Sequence, residues 1–469
     1  MNSEQSLILA VDCGSTNLKI ALFTQELERV YELSTPVVYT VNDGCRMEFD
    51  PQGIRTAFSQ AIDRLLTESG TPAADVGVIA FGSQAQTFCM VESASGDAVT
   101  PFFSWLDKRA EKECVQARAE LGTNFHEHCS FAPAIPQLEV CKALWLKDRQ
   151  PKSMEESYHH TFLPGYLAMG LGAPNTVDRN LAAMGGMYSL RTGKWWTEAL
   201  ALCGLSTEQM PRLVDVGEGI VTKHCPKGCP FEPGLRIVYA GNDQTAGAFG
   251  NGCDEDGVLV TLGTALVAYA CRGDSPGPFH KSTFWGPYPG GSWYELATRD
   301  EGCFALDQAR KTIASGVSTR WVDDAALSVI EQDLVENAPL FLPGEAGSAG
   351  AWTTQGTDEQ KAYAILEGIS FSLRTLLEED MSLQCSECDL SVIGGGSRSE
   401  VWLRIIASTL GCSICRGTGD GLLGAAAMAL GVEPPQVGRG PRISPDPQLT
   451  PILDKRYSKW RRKNLKSTI

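Results

Sequence analysis

Two stretches far apart in this chain, Leu7 to Phe23 (LILAVDCGSTNLKIALF) and Gly257 to Tyr269 (GVLVTLGTALVAY), share one pattern. Each leads a β-branched apolar run into a Gly-Ser-Thr or Gly-Thr turn and out into a second apolar run, which reads as strand, tight turn, strand. Glycine at such a turn lets backbone approach a ligand, and the N–H groups that follow can converge on an anionic oxygen. Gly14 with Ser15 and Thr16, and Gly263 with Thr264, are therefore candidate phosphate cradles. Ordinary hairpins need the same glycines for turn geometry alone. One such turn in each half of the chain points instead to a polyphosphate gripped between two domains.

Asp12 ends an otherwise apolar strand immediately before the first turn. A carboxylate there is costly to bury unless it meets solvent, a donor or a cation, and a Mg²⁺ carried by a nucleotide would satisfy it. Lys19, on the return strand, reads as a surface charge or a phosphate contact.

At 469 residues the chain exceeds one core of ordinary size, so two or three domains are expected. The net charge of −16 argues against a nucleic-acid backbone or an anionic membrane surface as partner. No run approaches the roughly 18 apolar residues of a membrane span, and the expected location is cytoplasmic. The sixteen cysteines fall largely in apolar segments and are expected to be reduced. Cys385 with Cys388, Cys412 with Cys415, and His224, Cys225 and Cys229 have spacings zinc uses, but they form no sequence-adjacent ligand set.

Along the chain, strands alternate with helical patterns, giving an α/β class. Asp50-Pro51 opens a helix to about Ser69, and Val76 to Phe81 is a strand that ends in the polar cluster Gly82 to Gln86. Trp105, Asp107 and Arg109 alternate, and in an extended conformation share a face. An aromatic plane, an acceptor and a forked donor suit a polyhydroxylated ligand, or else an exposed ion pair at a strand-to-helix junction. Gln84, Gln86 and Gln244 add amides that both donate and accept. Leu235 to Ala240 is a second strand with a polar end, Gly241 to Gln244, before a small-residue helix from Thr245. Asp243 is there either a helix cap or a catalytic base held at a strand end. Gly394, Gly395, Gly396 and Ser397 precede another helix and are either a turn or a backbone surface for a base or phosphate. Pro434 to Pro451 reads as irregular, and Asp454 to Lys466 as a basic, solvated surface helix.

Taken in order, VDCGSTNLK, FGSQAQTF, FSWLDKRA, AGNDQTAGAFG, VTLGTALVA, AILEGISFSLR and VIGGGSRSEVWLRIIA resemble the signatures of the FGGY carbohydrate kinases, from about Leu7 to Val432. That family lies within the actin-like, ribonuclease-H-like ATPases. The resemblance implies two actin-like domains with a cleft between them, and ATP-dependent phosphorylation of a hydroxyl on a small ketose or polyol. Asp243 would be the general base, and Asp12 and Asp243 would hold Mg²⁺. Gly14, Ser15, Thr16, Gly263 and Thr264 would contact phosphates, and Gly394 to Ser397 would border adenosine. Gln84, Gln86, Trp105, Asp107, Arg109 and Gln244 would bind substrate. The implied division is 1–247, 248–435 and a tail of 436–469, and a homodimer is left open. An alternative is an ATP-binding relative without transfer activity, acting as a sensor or assembly partner. Departures bear on the substrate. Gln86 and Ala85 stand where the xylulose-kinase branch carries histidine and often methionine, Ala265 replaces a serine, and the loop with Gly344, Glu345 and Ala346 is short.

Overall fold

The computed structural model describes residues 6–467 apart from 132, 275–281, 314–315 and 345–348, so Glu345 and Ala346 lie outside the described residues. Its first sheet starts with an antiparallel meander of β1 (Leu7–Cys13), β2 (Asn17–Phe23) and β3 (Arg29–Pro36). Helix α1 (Pro51–Ser69) crosses to β4 (Val76–Ser83), which lies parallel to β1. Asp50 caps α1 by accepting from the Gln52 and Gly53 amides, with Pro51 in the first turn as its fixed φ favours. With β5 (Gly219–Val221) and β6 (Arg236–Asn242) the strand order is β5, β6, β4, β1, β2, β3. Apolar residues run through β1 without alternation because both of its faces are covered, whereas the edge strand β3 alternates and carries its charges outward.

Helix α2 (Asp243–Gly250) follows β6 and leads to the second sheet. There β7 (Gly257–Leu262), β8 (Leu266–Cys271), β9 (Phe284–Pro287) and β10 (Trp293–Arg299) are joined by β11 (Asp389–Ile393), β12 (Ile414–Gly417) and β13 (Arg439–Ile443). The order is β9, β10, β8, β7, β11, β12, β13. Strand β7 repeats the place of β1, with an antiparallel hairpin partner on one side and a parallel strand on the other. Helices α3 (Asp358–Thr375) and α4 (Glu400–Leu410) contribute apolar faces to a core with β7, β8 and β11.

Helix α5 (Gly421–Leu430), which follows β12 as α2 follows β6, packs directly on α2. A Cβ at Gly424 would come within 1.8 Å of the Ala246 carbonyl oxygen, and one at Gly250 within 2.2 Å of the Asp420 carbonyl oxygen. Only glycine permits this backbone contact. Around it, Ile8, Val78 and Val238 of the first sheet share one core with Leu422, Ala425 and Ala426, and with Tyr269 and Tyr294 of the second.

The segment after 436 differs from expectation. Arg439–Ile443 is a strand, and it tolerates Pro441 because it is the sheet's edge. Helix α6 starts at Leu449, with Pro451 in its first turn, and spans Leu449–Ser467. Its Leu453, Tyr457 and Trp460 are buried in the second core, so it is not a solvated helix. Arg456 is buried too, paired with Glu367 through Nε at 2.5 Å and Nη2 at 2.7 Å.

Candidate active site

The β1–β2 turn brings Asp12 opposite Lys19 in antiparallel register, and the two form an ion pair at 3.7 Å. Lys19 is thus neither a lone surface charge nor free. Gly14 donates its N–H to the Asn17 carbonyl at 3.1 Å, and a Cβ there would stand 2.8 Å from the same oxygen. The turn closes so tightly that glycine is required. Gly263 also donates within its turn, to the Ala265 carbonyl at 3.2 Å, two residues on instead of three, and a Cβ there would stand at an ordinary 3.5 Å from that oxygen. In both turns a hydroxyl residue, Thr16 or Thr264, is exposed at the tip. These are two exposed glycine corners, one per sheet, of a kind whose backbone amides can converge on an anion.

Gly394 to Ser397 lie against the second corner. Gly394 has φ +93°, and a Cβ on it would come 2.6 Å from the Leu262 carbonyl, one residue before Gly263. Ser397 folds back to donate to the Gly394 carbonyl at 2.8 Å, so its hydroxyl shapes the turn. Gly395 is exposed with open space above it, and presents bare backbone beside the corner.

Asp243 opens α2 but does not cap it. Asn242 does, accepting from the Thr245 amide at 2.6 Å. The Asp243 carboxylate is left with one bond, from the Gln244 amide at 2.9 Å. Water reaches it, yet protein crowds around it, and this desolvation together with the nearby Asp12 carboxylate pushes its pKa up to about 6. Burial likewise raises the pKa of Asp12, with Lys19 opposing and Asp420 adding to the shift. The two carboxylates thus feel each other's charge, and the Lys19 ammonium offsets part of it at Asp12.

The start of α2 is braced by a residue outside the expected set. Asn180 is buried, accepts from the Asn242 amide at 2.9 Å, and donates to Thr245 Oγ1 at 2.8 Å and to the Pro287 carbonyl at 2.7 Å. Thr245 Oγ1 in turn lies 2.6 Å from the Tyr269 hydroxyl. This network ties the strand end below Asp243 to β8 and β9. An asparagine at a loop-to-helix junction is its only sequence signal.

Gln84 and Gln86 sit beyond the end of β4. The Gln84 side chain donates to the Gly14 carbonyl at 3.1 Å, joining the polar cluster to the first corner, while its buried Oε1 has no partner. Gln86 holds φ +56°, an uncommon conformation for a residue with a side chain. It is kept there by its amide donating to the Met184 carbonyl at 3.0 Å and its carbonyl accepting from the buried Lys142 at 2.7 Å. Nothing in the sequence marked Lys142 for this position.

The shared extended face expected of Trp105, Asp107 and Arg109 does not form. The Asp107 amide donates to the Ser104 carbonyl at 3.1 Å, and this turn breaks the alternation. Asp107 is wholly buried, its carboxylate taken by Arg109 at 2.6 Å and by the Met47 amide at 2.7 Å. Arg109 also meets Glu48 at 2.6 Å. Trp105 alone of the three is exposed. Gln244 is half-buried beside Asp243. Among the described residues no three His, Cys, Asp or Glu side chains cluster as metal ligands, and the sixteen cysteines are free thiols.

Comparison with known proteins agrees across the chain. The profile of the FGGY family of carbohydrate kinases, N-terminal domain, matches residues 7–250, and that of its C-terminal domain matches 261–431. Xylulose kinase from Streptomyces coelicolor is 25% identical, over 92% of this chain and 89% of that protein. Gluconokinase from Bacillus subtilis is 23% identical, over 86% and 82%. The crystal structure of xylulose kinase from Rhodospirillum rubrum superposes with a TM-score of 0.85 at 20% identity, covering 98% of each chain. The fold is that of the two-domain, actin-like sugar kinases.

Proposed function

Because the chain belongs to the FGGY family of carbohydrate kinases, we propose that it transfers the γ-phosphoryl group of ATP to a hydroxyl of a small ketose or polyol, with Asp243 as the base. The observation that carries this reading is the free carboxylate of Asp243, released from capping by Asn242 and raised to a pKa of about 6. A base poised near the working pH takes a proton efficiently while remaining largely ionised.

In this reading the two glycine corners face a polyphosphate across the cleft between domains, with Gly394 to Ser397 beside the adenosine. The substrate hydroxyl oxygen attacks the γ-phosphorus, the bond to the ADP oxygen breaks, and the hydroxyl proton passes to Asp243. Phosphoryl transfer asks mainly for positioning and charge neutralisation. Backbone amides of the two corners supply donors that need no reorganisation. Asp12 and Asp243 would hold Mg²⁺, which neutralises phosphate charge when bound. Trp105 offers an exposed ring to a sugar's carbon face, Gln84, Gln86 and Gln244 bond hydroxyls, and the Asp107–Arg109–Glu48 cluster holds that wall in place. Residues 1–247 form the sugar side and 248–435 the nucleotide side, and from the tail of 436–469 Leu453, Tyr457 and Trp460 pack on the latter. Among the described residues no helix is long and apolar enough to cross a membrane, and we place the enzyme in the cytoplasm.

A coupled ATP-consumption screen over pentuloses, hexuloses, tetritols, pentitols, glycerol and gluconate tests the proposal. One acceptor is expected to raise ATP turnover at least about a hundredfold over water, with the sugar phosphate identified by mass. ATP binding without transfer to any acceptor would favour a sensor instead.

A further inference from the structure

Helix α5 belongs to the second half of the chain by sequence, yet it lies against β1, β4 and β6 of the first sheet. Two arginines of that sheet hold its two ends. At the start, Asp420 caps α5 by accepting from the Leu423 amide at 2.9 Å, and Arg29 of β3 donates through Nη2 to both Asp420 oxygens at 2.7 Å. Arg29 is itself fixed by Glu32 at 2.5 Å and lies over the Phe23 ring, 5.2 Å from its centroid. At the other end, Arg236 of β6 donates to the Ala429 carbonyl at 2.7 Å, satisfying one of the last acceptors of the helix. Arg236 runs across Gly219, where a Cβ would come within 2.4 Å of its Nε.

We infer that Arg29 and Arg236 are positioning residues that clamp α5 to the first sheet and thereby set the distance between the two phosphate corners. The chain of contacts is short. Gly421 of α5 lies beside the backbone of Asp243 and Gly247, and Gly424 touches the Ala246 carbonyl, so the clamped helix is in register with the base. The Asp420 carboxylate acts on Asp12 through space. Strand β12, which precedes α5, pairs with β11, and β11 pairs with β7, the strand ending at the second corner. Loosening α5 therefore lets the nucleotide half drift relative to Asp12 and the first corner. The substrate wall of Gln84, Gln86 and Trp105 lies wholly in the first half and keeps its geometry. The Arg29–Asp420 pair is partly solvated, with side chains 34% and 44% exposed, so salt weakens it.

The inference rests on the reading that ATP binds between the halves, and the experiment separates the two. Hydrogen exchange at 421–430 and Mg-ATP affinity by calorimetry are measured for wild type, Arg29→Ala, Arg29→Lys, Asp420→Asn and the double variant Arg29→Ala/Asp420→Asn. Asparagine keeps the capping oxygen and removes the charge. Arg29→Ala is expected to speed exchange in 421–430 and weaken Mg-ATP roughly fivefold, with exchange in α1 and the thermal midpoint unchanged. Lysine should restore part of both losses, the double variant should be no worse than Arg29→Ala, and 0.5 M salt should narrow the gap to wild type. Unchanged exchange and affinity in Arg29→Ala overturn the clamp, as does loss of protection spread evenly over the chain. Arg236→Ala, measured alongside, is expected to speed exchange at the C-terminal end of 421–430, and unchanged exchange there overturns its part in the clamp; if wild type binds no ATP, the proposed function fails, while these exchange contrasts still decide whether the two arginines hold α5.

Discussion

Asp243 and Asn242 occupy neighbouring positions with nearly the same side-chain shape, and the division of labour between them makes the site. Both could cap α2, and Asn242 does so, which leaves the Asp243 carboxylate uncommitted to the cap. Asp243→Asn is expected to lower turnover by roughly 10² to 10⁴-fold, with Mg-ATP binding largely kept. In wild type, turnover should rise with pH through about 6 as the base ionises. The same shift bears on stability with the opposite sense. The folded pKa of about 6 lies above the ordinary 3.8, so between those values the native state holds the proton more tightly and stability falls as pH rises. Above pH 6 the full penalty is present, and Asp243→Asn should melt higher than wild type there, the difference shrinking as pH drops toward 4. Thermal scans at pH 4, 6 and 8 check this, and a variant that melts lower at pH 8 contradicts it. The candidacy of position 243 was legible in sequence because a polar residue ends an apolar strand. Which of two adjacent residues caps the helix was not, since that depends on backbone angles.

At the scale of elements, the sequence pattern located the strands and helices around the site but misjudged what covers the last helix. Helix α6 reads as basic and solvated because lysines and arginines crowd its sequence, yet Leu453, Tyr457 and Trp460, spaced by four and three, form a buried stripe. Arg456 lies within that stripe. Its guanidinium meets Glu367 on α3 and also donates to the Ala338 carbonyl at 2.9 Å and the Pro339 carbonyl at 3.1 Å. Such a cluster cannot be read from a linear sequence, because the two charges are 89 positions apart and each alone looks like surface. Arg456→Ala leaves Glu367 buried without its countercharge, with only the Tyr363 hydroxyl donating to it at 3.2 Å, and should destabilise by about 3–5 kcal/mol. Urea titration followed by tryptophan fluorescence checks it. A loss below about 1 kcal/mol would mean that water enters and solvates Glu367. The Trp105 segment failed for a related reason, since one turn at Ser104 converts an expected shared face into a buried brace.

Across the whole molecule, the two sheets repeat one topology, and what relates them is the pair of helices that follow their last parallel strands. The duplication was legible from the two glycine corners. The nature of the join was legible only as a run of small residues from Gly421, which fits a ligand-facing helix as well as a helix-facing one. The structure resolves this in favour of α2 as the neighbour. Two glycine substitutions separate the join from the surface proposed for the nucleotide. A methyl at Gly424 would meet the Ala246 carbonyl oxygen at 1.8 Å, its carbon at 2.8 Å and the Gly250 nitrogen at 2.9 Å, all backbone atoms that cannot rotate away. A methyl at Gly395 meets nothing within 4 Å. Gly424→Ala should therefore force α2 and α5 apart, destabilise by about 1–3 kcal/mol, and lower kcat because Asp243 rides on the displaced helix. Gly395→Ala should fold and melt like wild type and raise the KM for ATP alone, since its methyl enters only the space beside the second corner. Denaturant midpoints and steady-state kinetics on both variants make the comparison. Equal effects of the two, or a Gly424→Ala enzyme with wild-type kcat, would show that Asp243 does not depend on the helix contact for its position.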